Sequence, residues 1–220
     1  MNSTKKPDLS IEKDLWSRGF KLIAGIDEVG RGPIAGPVVA AAVILKKDFF
    51  PIDIDDSKKI SPLKRERLYH QILKNSYVGI GIGDVECIDT INILNATKYA
   101  MNIAYKKLAK KPDILLIDGN FEINSEIINV PVIKGDQKSI SIAAASIIAK
   151  VVRDRIMNQF SHIFNKYTFN QHKGYPTKNH IDEIQKNGVL ALSLIHISEP
   201  TRLLSIAFSV LCLEKKKGGG

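Results

Sequence analysis

Cysteine is almost missing from this chain: Cys87 and Cys212 are the only two among 220 residues. Two cysteines so far apart form neither a disulfide framework nor a metal spacing, which fits a reducing cytosol. Long hydrophobic runs are missing as well. The longest apolar stretch near the C-terminus, residues 203–213, falls short of the ~20 residues that a membrane helix needs. The N-terminus, Met1-Asn2-Ser3-Thr4-Lys5-Lys6-Pro7-Asp8, is basic but has no apolar core of a secretory signal. His162, His172 and His180 share no metal-ligand spacing and read as surface residues. A dinucleotide loop is excluded too, because in residues 30–36 the third glycine comes one position late and a strand follows instead of a helix. Gly79, Gly81 and Gly83 belong to a strand and make no phosphate cradle. The expectation is a cytoplasmic protein with no membrane partner.

What is present is positive charge and an ordinary globular composition. Lys+Arg 32 against Asp+Glu 23 gives a net charge of +9, which leans towards a polyanionic partner without specifying one. A hydrophobic fraction of 44% and a charged fraction of 25% are those of a globular domain, and 220 residues can bury a sizeable core.

The pattern predicts a mixed α/β fold. After a polar lead-in of residues 1–20, with a short amphipathic piece around Leu15 and Trp16, strands are expected at 21–27, 37–45 and 77–83. The short bend between the first two suits an antiparallel pair. The glycine face of the third lets a helix or another backbone pack closely. Ser61-Pro62 supplies an N-cap and a first-turn proline for a helix to Asn75. A second helix is expected over 92–110, stopped by Pro112. Short strands follow at 113–118 and 130–133, then a long helix over 139–164 and a last one capped by Thr177 and ending before Gly188.

The most informative stretch is Ile26-Asp27-Glu28-Val29-Gly30-Arg31-Gly32-Pro33. An apolar run ends in two adjacent acids and a glycine-rich turn. Asp118 and Asp136 also stand where a predicted strand has just ended, and functional groups of open α/β sheets gather at strand ends. If those ends are neighbours, four acids share one small volume. Carboxylates repel one another, and their oxygens suit Mg²⁺ or Mn²⁺. Two such ions make a site for in-line attack on a phosphodiester. Consecutive strand residues point to opposite faces, so Asp27 and Glu28 reach one site only if the chain bends at Glu28. Asp154, flanked by Arg153 and Arg155 inside the long helix, reads as a structural ion pair or cap contact and not as a ligand.

Five segments in order resemble one family. They are residues 25–33, Asp56-Ser57-Lys58-Lys59, Ile117-Asp118-Gly119, Lys134-Gly135-Asp136 with residues 141–154, and Gly174-Tyr175-Pro176-Thr177. Over about residues 20–192 the chain resembles bacterial ribonuclease HII. The resemblance implies a ribonuclease H-like fold, a five-stranded mixed sheet flanked by helices with a helical C-terminal region. It implies an endoribonuclease that cleaves the RNA strand of RNA/DNA hybrids and incises 5′ of single ribonucleotides in duplex DNA. It implies Asp27, Glu28, Asp118 and Asp136 as ligands of two Mn²⁺ or Mg²⁺ ions. Gly30, Arg31 and Gly32 are then expected to grip the backbone at the ribonucleotide, and Tyr175 to abut the neighbouring sugar at the RNA–DNA junction. Such a reading turns on a 2′-hydroxyl, which both donates and accepts. Lys58 and Lys59 are expected to contact phosphate, and Lys150 and Arg153 on the long helix to face a phosphate or water; basic side chains would hold a duplex in register without reading bases. A monomer is expected.

Two alternatives share these residues. One is a catalytically inactive hybrid-binding protein. The other is a ribonuclease HIII-like enzyme, which typically carries an extra N-terminal domain for which the lead-in leaves no room. Residues 1–192 are expected to form the catalytic domain, and 193–220, which depart from the family pattern, an atypical tail of non-native or disordered character.

Overall fold

Five apolar segments pair into one sheet: β1 (Ile23–Val29), β2 (Val38–Leu45), β3 (Ser76–Gly83), β4 (Ile114–Asp118) and β5 (Ile128–Val132), in the order β3-β2-β1-β4-β5. β1–β2 and β2–β3 are antiparallel; β1–β4 and β4–β5 are parallel. The mixed sheet is as expected. The computed structural model describes residues 6–46, 49, 54 and 60–190. The chain divides into two units, Met1–Gly32 with Pro37–Arg153, and Pro33–Gly36 with Asp154–Gly220.

In the first unit the sheet alternates its burial between two faces. Ala24, Ile26, Leu115 and Ile117 pack with Ala96, Ala100, Met101 and Ala104 of α3 (Val85–Lys106). The glycines of β3 make this approach possible. A Cβ on Gly79 would lie 2.1 Å from the Ala104 carbonyl oxygen, and one on Gly81 1.9 Å from that of Ala100. No side chain fits there.

α3 starts earlier than its periodicity predicts. Asp84 caps the first turn by accepting from the Cys87 N–H at 2.8 Å. Asn92 then takes a left-handed conformation (φ 66°), and its Oδ1 accepts from the Asn95 N–H at 3.1 Å to start the helix again. Two capped helices joined at a kink read in sequence as one shorter helix. α2 (Pro62–Asn75) opens as expected, with Ser61 Oγ accepting from the Lys64 N–H.

The other face holds α1 (Ser10–Ser17) and the first part of α4 (Ile140–Ile163), through Leu15, Ile23, Ile114, Leu116 and Ile142. Glu12 is buried here. Its Oε1 accepts from Ser139 Oγ at 2.5 Å and from the Ser141 N–H at 3.0 Å, so an acid of α1 satisfies an N–H in the first turn of α4. Arg153 is also fully buried, and its Nε donates to the Pro37 carbonyl at 2.9 Å. This corrects the expectation that Arg153 faces a phosphate or water. The side chain is consumed in holding the start of β2.

The second unit contains the rest of α4, α5 (Phe169–His172) and α6 (Lys178–Asn187), around the rings of Phe160, Phe164, Tyr167 and Phe169. The Ile34 N–H donates to the Gly174 carbonyl at 2.9 Å. His162 is exposed as expected, but His172 and His180 are buried and stacked, which corrects their reading as surface residues. The pair is tolerated in the core because both His172 ring nitrogens and His180 Nδ1 have hydrogen-bond partners. Among the described residues no helix is long and apolar enough to cross a membrane.

Candidate active site

Strand parity and register place the acids. Asp27 shares the α4-side face of β1 with Ile23, and Asp118 shares the same face of β4 with Ile114 and Leu116. The parallel register sets Ile26 beside Ile117, so the next residues, Asp27 and Asp118, stand at one level on neighbouring strands. Asp136 follows β5 in a 3₁₀ turn, Gly135–Gln137, and is buried. That turn leans on Asp118: the Gly135 N–H donates to Asp118 Oδ1 at 2.6 Å. Lys134 enters it with φ 54°. A Cβ on Gly135 would meet Ile142 Cδ1 at 2.5 Å, so a bare backbone is needed here.

The expected bend at Glu28 does not occur. β1 continues regularly to Val29, with Glu28 paired to Ala40, and the chain turns only at Gly30 (φ 116°). Glu28 nevertheless acts electrostatically on Asp27, and Asp118 acts on both.

Asp27 is only 5% exposed. Burial raises its pKa well above the usual carboxylate range, and the charges of Glu28 and Asp118 push the same way. A Ser146 hydroxyl and the Glu28 N–H, 2.7 Å from Asp27 Oδ1, oppose the shift. Glu28 is also raised, by burial first; Arg31 opposes that and Asp118 adds to it. Glu28 Oε1 meets Arg31 Nη1 at 3.3 Å, while Glu28 Oε2 is buried with no hydrogen-bond partner. As the side chains stand, no three His, Cys, Asp or Glu among the described residues form a ready ion-binding group. The donor chemistry still suits a hard divalent cation. Mutually repelling buried carboxylates and an unpartnered carboxylate oxygen are what such a cation would satisfy.

The remaining expected residues fall as follows. Gly30 is buried, and a Cβ there would lie 2.5 Å from the Pro37 carbonyl oxygen, so the fold itself requires glycine at this position. Arg31 and Gly32 are exposed. Lys150 is half-buried on α4, and Lys58 and Lys59 lie outside the described residues. In the second unit Tyr175 is 36% exposed, and Asp154 is half-buried on α4. The tail, 193–220, also lies outside the described residues.

Sequence reasoning missed three residues near the acids. Ser146 bonds Asp27. Phe121 lies under two cations, with Arg31 Cζ 5.7 Å and Lys98 Nζ 5.4 Å from its ring centroid. Nothing in the local pattern flags Phe121 or Lys98; Ser146 carries a weak signal as the one hydroxyl in the small-residue run 143–149.

Comparison with known proteins identifies the family. The family model for ribonuclease HII matches residues 24–199, past the point at 192 where the motif resemblance ends. Ribonuclease HII of Thermotoga maritima is 48% identical over 192 residues, covering 87% of this chain and 79% of that protein. Ribonuclease HII of Acetivibrio thermocellus is 50% identical over 196 residues, covering 86% and 74%. Among solved structures, ribonuclease H2 of Pyrococcus horikoshii superposes with a TM-score of 0.65 at 23% identity, over 78% of this chain and 91% of that one. Ribonuclease HII of Archaeoglobus fulgidus, solved in complex with PCNA, gives 0.61 at 29% identity, over 76% and 87%. With its sheet order, its motifs in sequence and close to half its residues shared with these relatives, the chain belongs to the ribonuclease HII family and is a ribonuclease H enzyme.

Proposed function

We propose that this chain hydrolyses the RNA strand of RNA/DNA hybrids and incises duplex DNA on the 5′ side of single embedded ribonucleotides, leaving 5′-phosphate and 3′-hydroxyl ends. The observation that supports this most is the level pairing of buried Asp27 with Asp118, with Asp118 acting on both Asp27 and Glu28, and Asp136 beside the Gly135 amide that holds Asp118. Asp27, Glu28, Asp118 and Asp136 would hold two Mg²⁺ or Mn²⁺ ions, whose chemistry is activation of water and stabilisation of the leaving 3′-oxygen.

The chain's own residues do the rest. Arg31 is anchored by Glu28 and the Phe121 ring, which limits its rotamers and leaves its exposed edge for a phosphate. Gly32 leaves a bare amide at the surface that can approach a 2′-hydroxyl. Tyr175 abuts the deoxyribose next to the ribonucleotide, where an aromatic ring favours a sugar without the hydroxyl. Lys58, Lys59 and Lys150 meet backbone phosphates and set register. The protein acts as a monomer in the cytoplasm, with residues 1–192 as its catalytic domain and 193–220 as an atypical tail.

The test is cleavage of a duplex carrying one ribonucleotide, with Mg²⁺ or Mn²⁺. Wild-type protein cuts once, 5′ of the ribonucleotide. Asp136→Asn keeps its far-ultraviolet circular dichroism and loses nearly all turnover. Wild-type-like turnover by that variant refutes the assignment of the acids.

A further inference from the structure

Tyr175 sits on a loop whose peptide groups are held by two imidazoles. The Gly174 N–H donates to His172 Nδ1 at 3.1 Å, and His180 Nδ1 lies 2.9 Å from the Tyr175 carbonyl oxygen. The two rings stack with centroids 4.1 Å apart and planes 13° from parallel. Phe169 meets both edge-on, at 5.3 Å and 5.7 Å. The clamp therefore grips both ends of the Gly174–Tyr175 dipeptide. Gly174 is itself left-handed (φ 83°), and a Cβ there would lie 2.2 Å from the Ala35 carbonyl oxygen. Little room is left for another loop path.

These bonds decide which Nδ1 carries a proton. A backbone N–H only donates, so His172 Nδ1 must present a lone pair. His172 Nε2 lies 3.0 Å from Glu183 Oε2. Glu183 also accepts from the Thr168 N–H at 3.0 Å, from Thr168 Oγ1 at 2.6 Å and from Asn179 Nδ2 at 3.1 Å. A carboxylate receiving that many donors stays ionised, so Nε2 carries the proton and the ring is neutral. A carbonyl only accepts, so His180 Nδ1 is the donor to Tyr175.

The charged and titratable groups around His172 are Glu183 and His180 of α6 and Lys173, its neighbour in the chain. Burial pushes the His172 pKa below the ordinary imidazole value; His180 and Lys173 add to that, and Glu183 opposes it. A proton placed on Nδ1 would set two donors face to face. The Gly174 bond would break and the Tyr175 loop would lose its anchor.

We infer that His172 is a positioning residue for Tyr175: its neutral ring, oriented by Glu183 and stacked on His180, seats the Gly174–Tyr175 peptide, so that discrimination at the RNA–DNA junction fails when this ring takes up a proton. The inference rests on the junction role proposed above for Tyr175.

The experiment uses the full chain and reads one ratio. It is kcat/KM on a duplex with a single ribonucleotide, divided by kcat/KM on a uniform RNA/DNA hybrid. Losses common to both substrates, including those of the acids, cancel. His172→Gln keeps a donor for Glu183 but offers no acceptor to Gly174; it lowers the ratio about tenfold, the effect of one buried donor left unpaired. His172→Asn, whose amide oxygen overlays Nδ1, lowers it less. In a Tyr175→Ala background His172→Gln causes no further loss. The wild-type ratio holds above about pH 6.5 and falls as pH drops further below that value, and that fall is absent in His172→Gln.

A wild-type ratio that does not change with pH overturns the inference without any variant. So does a normal ratio in His172→Gln when Tyr175→Ala collapses it, or an additive loss in the double variant; in these cases the Tyr175 role stands. A normal ratio in Tyr175→Ala overturns the junction role itself and this inference with it.

Discussion

Asp27→Asn tests whether the acids form a strained cluster. Asp27 is 5% exposed, with Glu28 and Asp118 acting on it as like charges. Its folded-state pKa is therefore raised above the ordinary carboxylate value. The native state then binds the proton more tightly than the unfolded chain does. The stability contributed by that proton is fully present below the unfolded value, about 3.9, and is lost as pH rises through the folded pKa. At neutral pH and in chelator the native protein bears the cost of burying this acid beside like charges. Asparagine keeps an oxygen to accept the Glu28 N–H, which lies 2.7 Å from Oδ1, and removes the charge. The expected gain is about 1–3 kcal/mol. For a domain of this size each kcal/mol moves Tm by about 2–4 °C, so the midpoint should rise by several degrees. The assay is thermal unfolding in chelator at neutral pH, with a pH series down to about 4, where the advantage of the variant shrinks. Saturating Mn²⁺ at about a hundredfold over Kd should then stabilise the wild type by about 2.7 kcal/mol and the variant far less. A variant that melts below the wild type in chelator refutes the reasoning, because the Asp27 charge would then be well compensated by groups other than a cation.

Two further predictions concern the frame around the acids. Gly81→Ala places a methyl 1.9 Å from the Ala100 carbonyl oxygen and must push α3 away from β3. It should cost at least about 1–3 kcal/mol in urea denaturation, and a loss below about 0.5 kcal/mol would contradict the close approach. Glu12→Ala leaves the Ser141 N–H and the Ser139 hydroxyl without their acceptor. It should lower stability by about 1–3 kcal/mol with an unchanged m-value, and an unchanged denaturation midpoint would show that α1 does not hold the start of α4.

Much of the frame was legible in the chain. The run 38–45 of small and β-branched residues became β2, buried along nearly its whole length. The glycine face of residues 79–83 did admit a helix. Ser61 and Thr177 cap helices as their positions suggest. The helix before Asn92 was not legible, because Asn92 breaks the periodicity that would have joined it to the rest of α3. Arg153, His172 and His180 were misread for one reason. Polar residues are mostly exposed, and only a through-space partner makes burial tolerable. The Pro37 carbonyl, Glu183 and the Tyr175 carbonyl are such partners, and all three are distant or unmarked in sequence.

Chemical type was settled locally. Which residues are hard-oxygen donors, where a turn needs glycine and where a helix can start all follow from a few neighbouring side chains, since backbone sterics and capping act over short range. Proximity was settled only by folding. That Asp27 and Asp118 share a face and a level depends on a parallel register between strands 91 residues apart, the separation of Ile26 and Ile117. That Glu28 keeps a buried oxygen without a partner, and that His172 must be neutral, depends on what other segments bring against them. Desolvation and Coulomb forces act through space, so they are defined only once the sheet and its helices have closed around each group.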